Sequence, residues 1–459
     1  MLRKQQLERK RDYGSRLQTK SAPAEATMKI PKLPCILFFV VCITLFITYS
    51  KWYPNTPLDL NSLTSDFILG DGEERTSFNH AISYGIMFDA GSTGTRLHVY
   101  KFSQPPNGTP VLDHETFISI KPGLSAYADD PDKSAAGINE LLDIAKKDIP
   151  KNLWASTPLV LKATAGLRLL PGEKAQKLLD KVEELFHSSP FHVVNNSVSI
   201  MKGTDEGIFA WITVNFLTGS LTDEEKKHSG ILDLGGGSTQ ITFYPYVKDT
   251  FTSAPAGYIT NFQLFNTSHY LYSHSYLGLG LMSARLEIMG GKEGEPLGNG
   301  EQLVSPCLTP DFVTTFNHAA IDYTVKGFVS KGSLYESCFK RVSKILSGRV
   351  HKSKEVAQQF FYVFSYYFDR AVDTKLIDPV LGGTIKVKDF EIAARKECKS
   401  IEKTSGDNPF LCMDLTYITQ LLQELGFPKE KDLKLVNKIN SVETSWALGA
   451  TFYYMNKMN

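Results

Sequence analysis

Residues 89–100 and 233–244 of this 459-residue chain align on one another without a gap, and no other feature limits the possible folds as tightly. The first copy reads DAGSTGTRLHVY and the second DLGGGSTQITFY, so Asp, Gly, Thr and Tyr fall at matching places. Each copy follows a short apolar lead-in, and apolar alternation resumes after the turn. The pattern predicts strand, small-residue turn, strand. A duplicated unit of this kind implies two similar lobes. The turns offer backbone N–H groups and hydroxyls to an anion, with a carboxylate at the root where a phosphate-bound cation would need it. In the first copy the cradle is Gly91, Ser92, Thr93, Gly94 and Thr95, rooted at Asp89. In the second it is Gly235, Gly236, Gly237 and Thr239, rooted at Asp233. Two such loops facing one another would hold a nucleotide's phosphate chain from both sides. A pair of ordinary Gly-rich hairpins is the alternative, and the repetition argues against it.

The length leaves room for two domains of roughly 200 residues each plus extensions. A net charge of +1 gives no electrostatic case for nucleic acid. The basic excess lies in residues 1–32, where nine Lys and Arg face Glu8, Asp12 and Glu25. Residues 33–50 follow as an uncharged apolar run closed by Lys51, Trp52 and Tyr53, at the short end of what crosses a bilayer. We read 1–32 as a cytoplasmic tail, 33–50 as an uncleaved transmembrane anchor and 51–81 as a polar stalk. A cleaved signal peptide is the rival, but no small-residue cleavage site follows the run. This topology puts the remaining body on the oxidising side of the membrane, where Cys307, Cys338, Cys398 and Cys412 can pair. Proximity in sequence suggests Cys307–Cys338 and Cys398–Cys412, one of three possible pairings. Asn107, Asn195 and Asn266 open glycosylation sequons.

From Ile82 onward strands alternate with helices, which indicates an α/β body. Ala163-Thr-Ala-Gly-Leu-Arg168 is a strand end running into a turn, a usual place for a ligand. There Thr164 could hydrogen-bond a phosphate or a water, while Arg168 could equally sit in a structural ion pair. In Gly203-Thr-Asp-Glu-Gly-Ile-Phe-Ala-Trp211, Thr204 is the expected N-cap. Asp205 would complement the helix dipole, and Gly207 beside Glu206 would let a ligand approach. Trp211 and Asn215 share a face that core packing explains, and His269 and His274 lack metal-ligand spacing. Phe360 to Phe368 is dense in aromatics; Tyr367 and Phe368 are the pair taken to sandwich a nucleobase.

Five blocks in this order resemble the apyrase family of ectonucleoside triphosphate diphosphohydrolases: DAGSTGTR at 89–96, ATAGLR at 163–168, GTDEGIFAW at 203–211, DLGGGSTQ at 233–240 and WALGA at 446–450. The N-terminal anchor and four luminal cysteines look like that family's Golgi and secreted branch, as do Ile120 to Asp130 and residues 271–285. The resemblance implies an actin/Hsp70-like body of two ribonuclease-H-like lobes, at 82–202 and 203–438, with 439–459 returning to the first. It implies hydrolysis of nucleoside diphosphates, mainly GDP and UDP, with Mg²⁺ or Ca²⁺. Glu206 maps onto the family's catalytic base, with Ser238 and Gln240 holding the attacking water. Asp89 and Asp233 would bind the metal through its water shell, and Thr164 and Trp446 would complete the cleft. An actin- or chaperone-like nucleotide-binding scaffold without turnover is the alternative, and a sugar kinase a further one.

Overall fold

The computed structural model describes residues 81–458 apart from 106–108, 222, 224, 265–266, 320, 329–331 and 403–407. The expected tail, the anchor, nearly all of the stalk, Asn107 and Asn266 lie outside the described residues. No helix among the described residues is long and apolar enough to cross a membrane.

The first repeat forms the hairpin of β1 (Ala81–Ala90) and β2 (Thr95–Gln104), with Asp89 opposite Arg96. Strand β3 (Val111–Ile120) adds antiparallel to β2. Helix α1 (Ala135–Asp148) then crosses to β4 (Leu159–Ala163), parallel to β1, and α2 (Lys174–His187) leads on to β5 (Val198–Ile200). The resulting order is β3-β2-β1-β4-β5. Leu178, Leu179, Val182 and Phe186 recur at helical spacing on α2, and all are buried against this sheet. Burying each such side chain contributes about 1.5–3 kcal/mol.

Helix α3 (Gly203–Leu217) links this sheet to a second one. There the second repeat folds as β6 (Gly230–Leu234) and β7 (Ser238–Phe243), followed by β8 (Ile259–Leu264) and β9 (Thr267–Leu277). A side sheet of β10 (Leu303–Ser305), β11 (Val313–His318) and β12 (Ile321–Gly327) precedes α4 (Leu334–Leu346). Strand β13 (Phe361–Ser365) and helix α5 (Tyr366–Asp373) come next. Then follow β14 (Gly383–Lys386), α6 (Val387–Ile401), α7 (Leu411–Leu425) and β15 (Asp432–Leu435). Within the order β14-β15-β13-β6-β7-β9-β8, the run β9-β7-β6-β13-β15 repeats the plan of the first sheet. Three antiparallel strands precede two parallel ones in both.

The chain ends in α8 (Ala447–Met458), packed against α3 between the two sheets. Every residue of α3 from Glu206 to Asn215 is buried, because this helix meets α8 on one side and both sheets on others. Met87 and Phe102 of the first sheet, Ile231 and Phe364 of the second, and Trp211 and Phe452 of the helices belong to one apolar cluster.

Two expectations about α3 are corrected. Thr204 is not the N-cap; the helix starts at Gly203, and Lys202 stands before it with no side-chain cap. Gly207 does not open a path for ligand. A Cβ there would lie 2.5 Å from Thr242 Oγ1 and 3.1 Å from Ser273 Oγ, so the glycine lets α3 pack on β7 and β9. The cysteines pair as Cys307–Cys338, which fastens α4 to the segment after β10, and Cys398–Cys412, which joins α6 to α7.

Candidate active site

Both hairpins end at the carboxyl edges of parallel strands, where the chain turns and backbone donors are left free. The two turns are built alike. The Gly91 N–H donates to the Gly94 carbonyl at 3.0 Å, and the Gly235 N–H donates to the Ser238 carbonyl at 3.0 Å. The loops abut so closely that a Cβ on Gly236 would fall 2.2 Å from Ser92 Oγ. A side chain at 236 would have to displace the Ser92 hydroxyl.

A cavity of about 440 Å³ opens between them. That is within the roughly 300–1,000 Å³ typical of small-molecule sites. Asp89, Gly91, Ser92, Thr93 and Thr164 line it from the first lobe. Asp233, Gly235, Gly236, Gly237 and Ser238 line it from the second, with Glu206 and Trp446 from the helical layer. Four expected residues do not form its wall. Gly94 and Thr95 lie back in the β1–β2 turn. Thr239 Oγ1 donates to the Asp233 carbonyl at 2.8 Å and so braces the strand end. The Gln240 amide lies buried behind Ser238, donating to Ser238 Oγ at 2.8 Å and to Ser275 Oγ at 3.0 Å, and its Oε1 has no partner among the described residues.

Three carboxylates share the cavity. Arg96 Nη1 donates to Asp89 Oδ2 at 2.8 Å, and Arg168 donates to Glu206. Burial pushes the Glu206 carboxyl up to about 8 against the pull of Arg168, and Asp233 and Asp89 push it the same way. Burial likewise raises Asp233 to about 6; a Ser365 hydrogen bond opposes this, and Asp89 adds to it. Asp89 Oδ1 and Asp233 Oδ1 are buried without hydrogen-bond partners. Orphaned acceptors of this kind suit a hydrated divalent cation. Among the described residues no group of three His, Cys, Asp or Glu side chains is placed to hold an ion directly.

The nucleobase expectation is corrected. Tyr367 and Phe368 are 0% and 5% exposed and belong to the core of the second lobe. Helix α5 turns its Tyr366 face to the cavity instead, because 100° per residue separates it from its neighbours. Sequence reasoning also missed Arg96, Lys121, Asp369 and Glu443, all in the wall. Arg96 was readable, since it stands opposite Asp89 in the hairpin register. Lys121 reaches the cavity from the turn after β3, Asp369 from the first turn of α5 and Glu443 from the two-residue strand Val442–Glu443, none with a local signal. Arg168 is in an ion pair, and its partner is Glu206. Trp211 is fully buried, and Asn215 donates to the Trp211 and Ser229 carbonyls at 2.9 and 3.0 Å. His269 packs on Trp211, and His274 stacks on Tyr258 at 3.9 Å.

The sequence pattern of the GDA1/CD39 (nucleoside phosphatase) family matches residues 76–459. Ectonucleoside triphosphate diphosphohydrolase 6 of Homo sapiens is 53% identical over 441 residues, which span 94% of this chain and 91% of that protein. The nucleoside diphosphate phosphatase ENTPD5 of Homo sapiens is 49% identical over 377 residues, spanning 82% and 88%. A crystal structure of nucleoside triphosphate hydrolases from Neospora caninum matches with a TM-score of 0.57 at 16% identity, over 82% of this chain and 93% of that one, a likeness of fold alone. Facing glycine-bedded loops, a carboxylate-rich cavity between them and a family match across all the described residues lead to one conclusion: the chain belongs to the GDA1/CD39 family and is a nucleoside phosphatase.

Proposed function

We propose that the protein is a luminal nucleoside diphosphatase that removes the terminal phosphate of GDP and UDP, and of triphosphates less readily, within an actin/Hsp70-like body of two ribonuclease-H-like lobes. One observation carries this reading: Asp89 from one lobe, Asp233 from the other and Glu206 between them open into a single cavity beside both glycine-bedded loops. Glu206 accepts a proton from a water, whose oxygen attacks the terminal phosphorus as the bond to the bridging oxygen breaks. The nucleoside monophosphate leaves with that electron pair. Arg168 favours the ionised, proton-accepting form of Glu206. Because the Gln240 amide donates to Ser238 Oγ, the Ser238 hydroxyl hydrogen is free to hold the water or a phosphoryl oxygen. Backbone N–H groups of the two loops meet the charge that develops on the phosphoryl oxygens. Mg²⁺ or Ca²⁺, held through water by Asp89 and Asp233, would supply charge neutralisation there. No side-chain nucleophile is needed, so no phosphoenzyme forms.

Residues 33–50 would anchor the chain in the Golgi membrane with the body in the lumen, where it would clear nucleoside diphosphates left by glycosyl transfer. Two disulfides and an exposed Asn195 sequon support that side of the membrane. Phosphate release by the full chain from GDP, UDP, ADP, CDP and their triphosphates, with Mg²⁺, with Ca²⁺ and with chelator, tests the reading. We expect release from GDP and UDP that chelator abolishes. No turnover of any diphosphate, or full turnover in chelator, would defeat it.

A further inference from the structure

Past the phosphate loops the cavity wall holds two charged side chains that the chemistry above does not use. Lys121 lies on the first lobe and Asp369 on the second. Both are exposed, and among the described residues neither side chain has a hydrogen-bond or ion-pair partner. The nearby cations are otherwise engaged: Arg96 holds Asp89 at 2.8 Å, and Arg370 holds Asp373 and Asp414 at 2.9 and 3.0 Å.

Both side chains are placed by the same phosphate loop. Lys121 directly follows Ile120, which pairs across the sheet with Thr95, the residue that closes the first loop. On the other lobe, Tyr366 lines the same cavity as Thr93 of that loop. Asp369 stands three residues on in α5, so it lies on the same helix face as Tyr366. The Tyr366 ring, with the Arg370 guanidinium 5.8 Å from its centroid, supplies an aromatic surface at this end. A donor and an acceptor from opposite lobes thus line one cavity with this ring, next to the loop that grips the phosphates. Burial raises the Asp369 carboxyl; Arg370 pulls it down, Asp373 pushes it up, and Arg96 and, more weakly, Lys121 across the gap pull it down.

We propose, on the reading of the protein as a nucleoside diphosphatase, that Lys121 and Asp369 select the nucleobase by its imide edge. The ammonium donates to a ring carbonyl, and the carboxylate accepts from the neighbouring ring N–H. Guanine (O6, N1–H), uracil (O4, N3–H) and hypoxanthine offer that pattern. Adenine and cytosine invert it, turning a ring-nitrogen lone pair toward the carboxylate and an amino group toward the ammonium. The pair sits at an open mouth, so its discrimination falls short of the 10⁴-fold or more that a fully buried polar site can reach and comes to about 10- to 100-fold.

The test uses the full chain with GDP, UDP, ADP and CDP. For wild type, D369N and K121M, kcat/KM is measured from phosphate release and relative affinity from calorimetry with the same four ligands. The proposal expects wild type to favour GDP over ADP and UDP over CDP. D369N should cut both ratios about tenfold or more, chiefly by losing GDP and UDP, and K121M should cut them in the same direction. Each ratio is internal, so a poorly folded fraction cancels. Unchanged ratios, an equal fall for all four nucleotides, or a wild type without base preference would overturn the proposal. Absence of turnover by wild type sinks the functional reading instead, and the binding ratios still decide the role of the pair.

Discussion

Glu206 is the residue on which the proposed chemistry turns. It shares a cavity with Asp89 and Asp233, and burial raises its carboxyl from 4.5 to about 8. As general base it is expected to supply about 10²–10⁴-fold of rate. Glu206→Gln should therefore lower kcat by at least about 10²-fold with little change in KM; full activity in that variant would remove Glu206 from the mechanism. The same shift has a signed effect on stability. A folded-state pKa above the unfolded one means that the native protein binds this proton more tightly. The contribution is thus complete below pH 4.5 and is lost as pH climbs through about 8. Asp233, raised to about 6, and Glu443, raised to about 7 by burial, act in the same direction. In metal-free buffer the thermal midpoint should fall across that window, and Glu206→Gln, which carries no titrating proton, should flatten the fall. A variant that follows the wild-type slope would contradict the shift.

At the scale of elements, α3 decides how well Glu206 is held. Alanine at Gly207 would gain about 1 kcal/mol of helix propensity. It would also drive a Cβ to 2.5 Å from Thr242 Oγ1, and overpacking of that kind costs about 1–3 kcal/mol. We expect Gly207→Ala to be net destabilising in denaturant unfolding and to lower kcat, because the displaced turn carries Glu206. The Cys398–Cys412 bridge works on another layer. It closes a span of 14 residues between α6 and α7. Replacing both cysteines by serine should lower unfolding free energy by about 3 kcal/mol, measured in denaturant, with the cavity residues untouched.

The two main sheets, of matching plan, are joined through one apolar layer built from α3 and α8. Because that layer takes residues from both sheets, the lobes should unfold together. A nucleoside diphosphate with Mg²⁺ that grips both loops stabilises the native state by about 2.7 kcal/mol at a hundredfold excess over Kd. Scanning calorimetry should show one transition that moves upward as a unit. Two transitions, only one of them shifted by ligand, would mean that nucleotide is held by a single lobe.

Much of this was legible in the chain before any coordinates. The repeat at Asp89 and Asp233 announced two lobes and two loops, because turn chemistry and strand alternation are local properties written over a dozen residues. The apolar stripes of Ile138, Leu141, Leu142 and Ala145 on α1 and of Leu178, Leu179, Val182 and Phe186 on α2 were legible for the same reason, and sequence proximity pointed to the cysteine pairs that form. The role of Glu206 rested on family resemblance, since the local argument through Gly207 does not hold in the fold. Contacts between distant segments were decided only by tertiary structure. Tyr366, not Tyr367 or Phe368, faces the cavity because the orientation of α5 on the sheet selects one of three adjacent directions. Arg168 meets Glu206 only because the end of β4 and the start of α3 converge, and Gly207 has its role only where β7 and β9 press against the helix. Periodicity specifies which face of an element is apolar. It does not specify which distant side chain that element will meet once two lobes close, and that meeting is where this site is made.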